Sequence, residues 1–373
     1  MNLDYFFPQA KDQVVFVERK EAKTQEDLGL SPETPLPIMV DDLIDQVRAG
    51  QDKTLQGRAV LRGIFYVLGL DQDLSHKANY ENLLKTHRQD SQAFLRGLVL
   101  EALKEEDLLK SLLFSQAGLR LFEDLDFSKI HIRTMEKIYN REWQKGPEAQ
   151  PKELKALLEE IITSYEDLLK KDPDLFFANE GLAYIFKAKG QYLKARLYFE
   201  KALQGAQEEE DKNQIRDELS LIEDDAYLEA AITYLNYGKF HEALFQLSHI
   251  SEGYRDRSRV DYGMALAYDK LGQREAAREA FERALDLQAS RAAYYNDYAI
   301  FLYNGGDLEG ALALLSRGLE EVEDKEDLYY NRGILEYQRG QYSQALEDFK
   351  SSGKGQESPE VASLIEQLEE GLS

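Results

Sequence analysis

Apolar residues recur at intervals of three and four along most of this chain, which is the helical periodicity, and glycine sets the breaks in that rhythm. From about residue 176 the rhythm comes in matched halves: an amphipathic stretch, a glycine, a second amphipathic stretch. The breaks fall at Gly190, Gly238, Gly272, Gly306 and Gly340, and the last four are evenly spaced by 34 residues. Alanine keeps the same register. Ala243, Ala277, Ala311 and Ala345 each follow their glycine by five positions, while Ala183, Ala231, Ala265, Ala299 and Gly333 precede theirs by seven. Small residues at such points let paired helix axes approach toward the lower end of about 8–10 Å. Phe186, Tyr234 and Tyr268 on first helices, and Phe199, Phe281 and Phe349 on second helices, are expected to fill the space between the small pairs. A glycine just past the first helix supplies a left-handed backbone that a side chain disfavours. Asp307, directly after Gly306, is placed to cap the second helix.

The fixed period, the small-residue ladder and the aromatics together resemble the tetratricopeptide repeat, a helix–turn–helix unit of 34 residues, over about residues 176–352. This chain departs from the family pattern in places. Tyr227, Asp261, Tyr295 and Tyr329 stand where the family has tryptophan, Gly318 and Ser352 replace a second-helix alanine, and no proline closes the repeats. The expected fold is all-α: a tetratricopeptide-type solenoid of helical hairpins with a helical N-terminal region and a C-terminal capping helix. Residues 151–352 form the array, with five recognisable repeats and a preceding helix at 157–173. Residues 353–373 form the cap, its helix starting at Ser358-Pro359. Solenoid ends require such a cover. The interval from Gly190 to Gly238 is 48 residues, so 14 are added around the acidic stretch 205–225. That stretch reads as a longer second helix or a solvated loop, with a partner contact as the alternative.

The N-terminal half lacks the 34-residue ladder. Residues 1–37 read as a partly ordered arm or linker, with a short strand at 13–20 and breaks at Pro32, Pro35 and Pro37. Residues 38–150 read as helical, either as degenerate repeats, the preferred reading, or as an irregular helical cap.

Composition narrows the function. The chain has 373 residues, 43% of them hydrophobic, enough for a core, and no cysteine, which removes disulfides and thiolate chemistry. Residues 2–5 carry neither a basic nor a long apolar stretch, so no signal peptide is visible and a cytoplasmic location is expected. A net charge of −24 disfavours phosphate-backbone and anionic-membrane binding. No nucleic acid and no membrane insertion are therefore expected, and a protein or peptide partner with a basic segment would be steered inward. The five histidines, His76, His87, His131, His241 and His249, form no metal-ligand spacing, and no phosphate loop occurs. Catalytic residues, metal and cofactor are accordingly expected to be none.

The resemblance implies a groove lined by first-helix residues. Carried over position by position, it would present Tyr262, Leu266, Asn296, Ile300, Tyr303, Asn304, Tyr330, Asn331, Ile334 and Tyr337. Asparagine amides both donate to and accept from a peptide backbone, and tyrosine supplies contact area at low entropy cost. Some chaperone-binding members clamp a C-terminal carboxylate with lysine and asparagine. Here Tyr262, Asn296 and Tyr330 hold the equivalent basic positions, so that specificity is not expected. The first reading is thus a non-enzymatic interaction scaffold holding a partner segment. The alternative is a cytoplasmic regulatory receptor for a short peptide. A third, an enzyme with its site around residues 58–71 and 76–90, has no recognisable constellation behind it.

Overall fold

A computed structural model of the chain describes residues 1–18, 23–24, 29–48, 54–71, 73–146, 151–354 and 358–372. Residues 19–20 of the expected strand, 147–150 at the end of the expected N-terminal helical region, and 355–357 and 373 of the expected cap lie outside them. Among the described residues there are nineteen α-helices and two minimal sheets. The chain divides into two compact units, Met1–Leu182 and Ala183–Ser373.

In the first unit the opening segment is built into the core. Short helix α1 (Leu3–Phe6) leads to strand β1 (Val14–Val17). This pairs antiparallel with β3 (Leu36–Met39), placing Val14 opposite Met39. A two-residue parallel pair joins β2 (Lys23–Thr24) to β4 (Thr54–Leu55). Phe6, Phe7 and Ala10 are buried, and all four residues of β3 are buried. Two buried tyrosines tie the segment down. The Tyr66 hydroxyl donates to the Ala10 carbonyl at 2.8 Å, and that of Tyr80 to the Pro35 carbonyl at 2.7 Å. Part of the expected arm is therefore packed, because those apolar residues have a partner surface far along the sequence.

That surface is α3 (Gly57–Leu70), apolar on nearly all sides. Helices α2 (Val40–Arg48), α4 (Lys77–Thr86), α5 (Arg88–Lys104), α6 (Leu108–Phe122), α7 (Leu125–Lys145) and α8 (Lys152–Lys171) complete the unit. Helix α3 packs on α6, across two intervening helices. The Gly69 Cα lies so close to the Leu113 carbonyl that an added Cβ would sit 2.1 Å from its oxygen. Helix α3 thus packs out of sequence order, whereas α5, α6, α7 and α8 pack in succession.

The array consists of five hairpins: α9 (Phe176–Ala188) with α10 (Tyr192–Gly205), α11 (Glu209–Asn236) with α12 (Phe240–Ser248), α13 (Arg257–Lys270) with α14 (Arg274–Leu287), α15 (Ala292–Asn304) with α16 (Leu308–Glu321), and α17 (Glu326–Gln338) with α18 (Tyr342–Ser351). Every hairpin turns through the same motif. The five ladder glycines have φ between 68° and 85°. The next residue's N–H bonds back five positions, as in Gln191 to Phe186, Lys239 to Tyr234, Gln273 to Tyr268, Asp307 to Leu302 and Gln341 to Glu336, all at 2.9 Å. This is the Schellman arrangement, which satisfies carbonyls the helix end would leave open. Asp307 caps α16 as expected, its carboxylate accepting from the Gly310 N–H at 2.9 Å. The ladder alanines are buried, as are Phe186, Phe199, Phe281 and Phe349, while Tyr234 and Tyr268 are only half-buried.

The insertion departs from expectation. It forms neither a longer second helix nor a loop, but extends the next first helix at its N-terminus, so α11 runs 28 residues. Ile215 and Ile222 are buried along it, and Leu193 N–H donates to Glu229 at 3.0 Å. Gly205 ends α10, and Glu209, Glu210 and Asp211 occupy the first turn of α11, where the helix dipole favours acids. After the last hairpin, α19 (Pro359–Leu372) packs on α18 through Leu364, Ile365 and Leu368, providing the expected cap.

Candidate functional site

First helices α11, α13, α15 and α17 pack side by side in succession, more closely than the second helices of neighbouring repeats do. They therefore form the inner face of the array. The ten residues expected in the groove all lie on α13, α15 or α17, but in two different states. Ile300, Tyr303, Asn304 and Tyr337 are exposed, whereas Tyr262, Leu266, Asn296, Tyr330, Asn331 and Ile334 are half-buried.

Residues of both groups take part in a ladder of hydrogen bonds between successive first helices. The Tyr262 hydroxyl donates to Asp297, the Asn331 amide to Asn296 Oδ1 at 2.7 Å, and the Tyr303 hydroxyl to Gln338 Oε1 at 2.5 Å. Each rung joins residues 35 apart. A repeat of 34 plus one position brings two first helices into reach. Tyr262 also stacks on Tyr294, with ring centroids 4.4 Å apart. Burial, with the Asp297 carboxylate it donates to, raises its phenol pKa, so the proton stays in place at ordinary pH. Tyr330 packs on Phe349 at 6.0 Å, with the Lys354 ammonium 5.2 Å above its ring. Asp297 and Gln338 were not anticipated from the sequence. Searching for polar pairs at a spacing of 35 would have found both.

Three acids carry the structural load behind this face. Asp348 is buried and bound by Arg332 through two bonds of 2.8 Å. Asp261, at a tryptophan position of the repeat, is buried between Arg283 at 3.1 Å and Arg257 at 3.5 Å. Asp225 accepts from the Tyr254 hydroxyl at 2.6 Å and from Arg255 at 2.5 Å. Buried charges persist only when paired in this way. Gly318 replaces the usual alanine because Tyr295 and Leu328 fill the space: a Cβ there would sit 2.8 Å from Tyr295 Cγ.

The first unit holds a polar cavity of about 210 Å³ lined by residues including Gln116, Arg120, His131 and Glu160. Burial lowers the His131 pKa to about 4, so the imidazole is neutral, with Nδ1 3.1 Å from Ser115 Oγ. That hydroxyl donates to the Leu112 carbonyl at 2.9 Å. The Arg120 guanidinium donates to the carbonyls of Leu68 and Gly69 at the end of α3. These groups serve the helix ends and core around them. Among the described residues, no cluster of His, Cys, Asp and Glu suited to a metal ion occurs, and no helix is long and apolar enough to cross a membrane.

Repeated hairpins that turn through left-handed glycines, with their first helices side by side, define a helical-repeat protein. A sequence profile described as "Tetratricopeptide repeat" matches residues 262–326. Residues 262–326 thus match tetratricopeptide repeats, and the hairpins on either side turn through the same glycine motif. It is similar to tetratricopeptide repeat protein 16 of Mus musculus, 28% identical over 137 residues, covering 34% of this chain and 18% of that protein. It is also similar to a lipoprotein NlpI homolog of Haemophilus influenzae, 31% identical over 94 residues, covering 25% of this chain and 30% of that protein. The chain thus spans less than a third of the length of these two curated relatives. Among solved structures, a tetratricopeptide repeat protein from Parabacteroides merdae matches at 16% identity and a TM-score of 0.36, covering 75% of this chain and 99% of that one.

Proposed function

We propose that the inner face of α13, α15 and α17 holds an extended or helical segment of a partner protein, making the chain a non-enzymatic scaffold. The observation that carries this is the contrast along one face. Rungs of tyrosine, asparagine, aspartate and glutamine fix the first helices relative to one another, and Ile300 beside them, with the Tyr303 rung itself, remains exposed at 47% and 38%. A pre-fixed surface binds without ordering itself first, which reduces the entropic cost of association. The exposed aromatic and aliphatic groups supply the contact area, and the amides orient a backbone. The acidic chain steers partners with basic segments, and it repels nucleic acid.

Ile300→Lys tests this reading. The side chain already faces solvent, so the fold is expected to stand, as shown by an unchanged circular dichroism melt. Partner capture from native extract should fall about fivefold or more, the effect of losing one central contact. Unchanged capture would remove the inner face from consideration. A screen of short peptides by thermal shift separates the scaffold from a receptor: stabilisation by one defined short peptide would favour the receptor.

A further inference from the structure

Ile232, Leu266, Ile300 and Ile334 fall 34 residues apart, one on each of the first helices α11, α13, α15 and α17. Ile300 is exposed and the other three are half-buried, so each helix leaves aliphatic surface at the same register. These four helices touch one another in succession. Helices in contact lie about 8–10 Å apart axis to axis, which sets the step from one aliphatic side chain to the next.

A segment crossing the first helices has to repeat its own apolar face at that step. A β-strand repeats a face every second residue, about 6.5 Å, or every fourth, about 13 Å, and neither matches. An α-helix returns to one face after seven residues, about 10.5 Å, and the excess accumulates over three steps. A polyproline II helix has three residues per turn and a rise of about 3.1 Å, so every third residue returns to one face after about 9 Å. Of the three, this conformation stays in phase with the whole row.

The groups beside the row suit the same occupant. Asn296 and Gln338 accept their rungs, from Asn331 and Tyr303, through the amide oxygen. Each keeps an N–H2 group with no partner among the described residues. A polyproline II backbone has no internal hydrogen bonds, so its carbonyls need outside donors, and its prolines offer no N–H in return. Tyr262 and Tyr330 precede Leu266 and Ile334 by four positions, while Tyr303 and Tyr337 follow Ile300 and Ile334 by three. Those spacings put the rings on the same helix faces as the row. Aromatic-lined grooves are the surfaces on which proline-rich segments dock.

Taking the inner face as the binding surface, as proposed above, we propose that the segment it holds is a proline-rich polyproline II helix with an aliphatic residue at every third position. Its aliphatic side chains meet Ile232, Leu266, Ile300 and Ile334 in turn, and its carbonyls accept from the amides of Asn296 and Gln338.

Isothermal titration of the full chain with three uncharged, end-capped peptides tests this. The first repeats leucine-proline-proline four times, and the second has the same composition with its leucines adjacent in pairs. The third is a helix rich in alanine and glutamine with leucine at every seventh position. The first should bind at least about tenfold more tightly than either of the others, because a leucine out of phase loses its burial. Ile300→Lys should weaken it about fivefold or more. Asn296→Asp keeps an oxygen for Asn331 but removes the N–H2 donor, and should weaken it about threefold or more while the circular dichroism melt is unchanged. Equal binding of the first two peptides would mean that the face reads composition and not period, and would overturn the proposal. So would tighter binding of the helical peptide, or wild-type affinity in Asn296→Asp. Partner capture from native extract tells this failure from failure of the binding face itself. Where capture depends on Ile300 but the first peptide binds no better than the second, or not at all, the polyproline II occupant falls and the inner face stands. Where capture is unchanged by Ile300→Lys, both fall.

Discussion

Replacing glycine by alanine should have opposite signs at Gly272 and Gly97, although an added Cβ meets nothing within 4 Å at either position. At Gly272 the backbone has a φ of 72°, so the whole cost is conformational. A side chain in the left-handed region loses about 1–2 kcal/mol. Reduced freedom of the unfolded chain returns about 0.4–1 kcal/mol of that. The expected net loss is about 1 kcal/mol. Gly97 lies on the exposed side of α5 with ordinary helical backbone. There alanine should gain about 0.8–1 kcal/mol, its advantage over glycine in a helix interior. Urea unfolding followed by circular dichroism should show a lowered midpoint for Gly272→Ala and a raised one for Gly97→Ala. Hydrogen exchange over residues 257–287 and 88–104 assigns each change to its own unit, since two units need not unfold together. Gly272→Asn should recover part of the loss, because asparagine tolerates the left-handed region. A neutral or stabilising Gly272→Ala would refute the explanation of the glycine period.

Two further substitutions probe packing and protonation. Gly318→Ala restores the family's usual residue yet should destabilise the array by about 1–2 kcal/mol, the overpacking against Tyr295 and Leu328 exceeding the helix-propensity gain; a raised thermal midpoint would contradict this. For His131, burial lowers the pKa from 6.5 to about 4 in the folded state. The unfolded chain therefore takes up the proton first as pH falls. Stability from this group is intact above pH 6.5 and drains away toward pH 4, by up to about 3 kcal/mol. His131→Gln should flatten that part of the stability profile, as read by urea midpoints between pH 7 and 4.5, and an unchanged slope would show that His131 is not its source.

The repeat was legible because its determinants are local. A Schellman turn needs one glycine in register and a helix on each side, so the five turns could be placed from spacing alone. The insertion was misplaced for want of weight on two signals, Gly205 as a stop and Glu209–Asp211 as a start. The first unit resisted because its organisation is non-local. Val14 pairs with Met39, Tyr66 reaches the Ala10 carbonyl, and α3 packs on α6, and neither periodicity nor propensity encodes such partners. At the inner face, the sequence placed the residues on the correct helices but could not divide them. Asn331 looks equivalent to Asn304 until the 35-residue rungs show which is tied to a neighbouring first helix.

The proposed binding surface is the inner face of the first helices. Photo-crosslinking from that face tests it most directly, with a benzophenone side chain at Ile300, and at Leu287 on a second helix as the control. The two positions are similarly exposed, at 47% and 57%, so accessibility alone does not favour either. In native extract, Ile300 should yield a discrete crosslinked species that Leu287 does not. Crosslinking from Leu287 alone, or equally from both, would contradict the assignment.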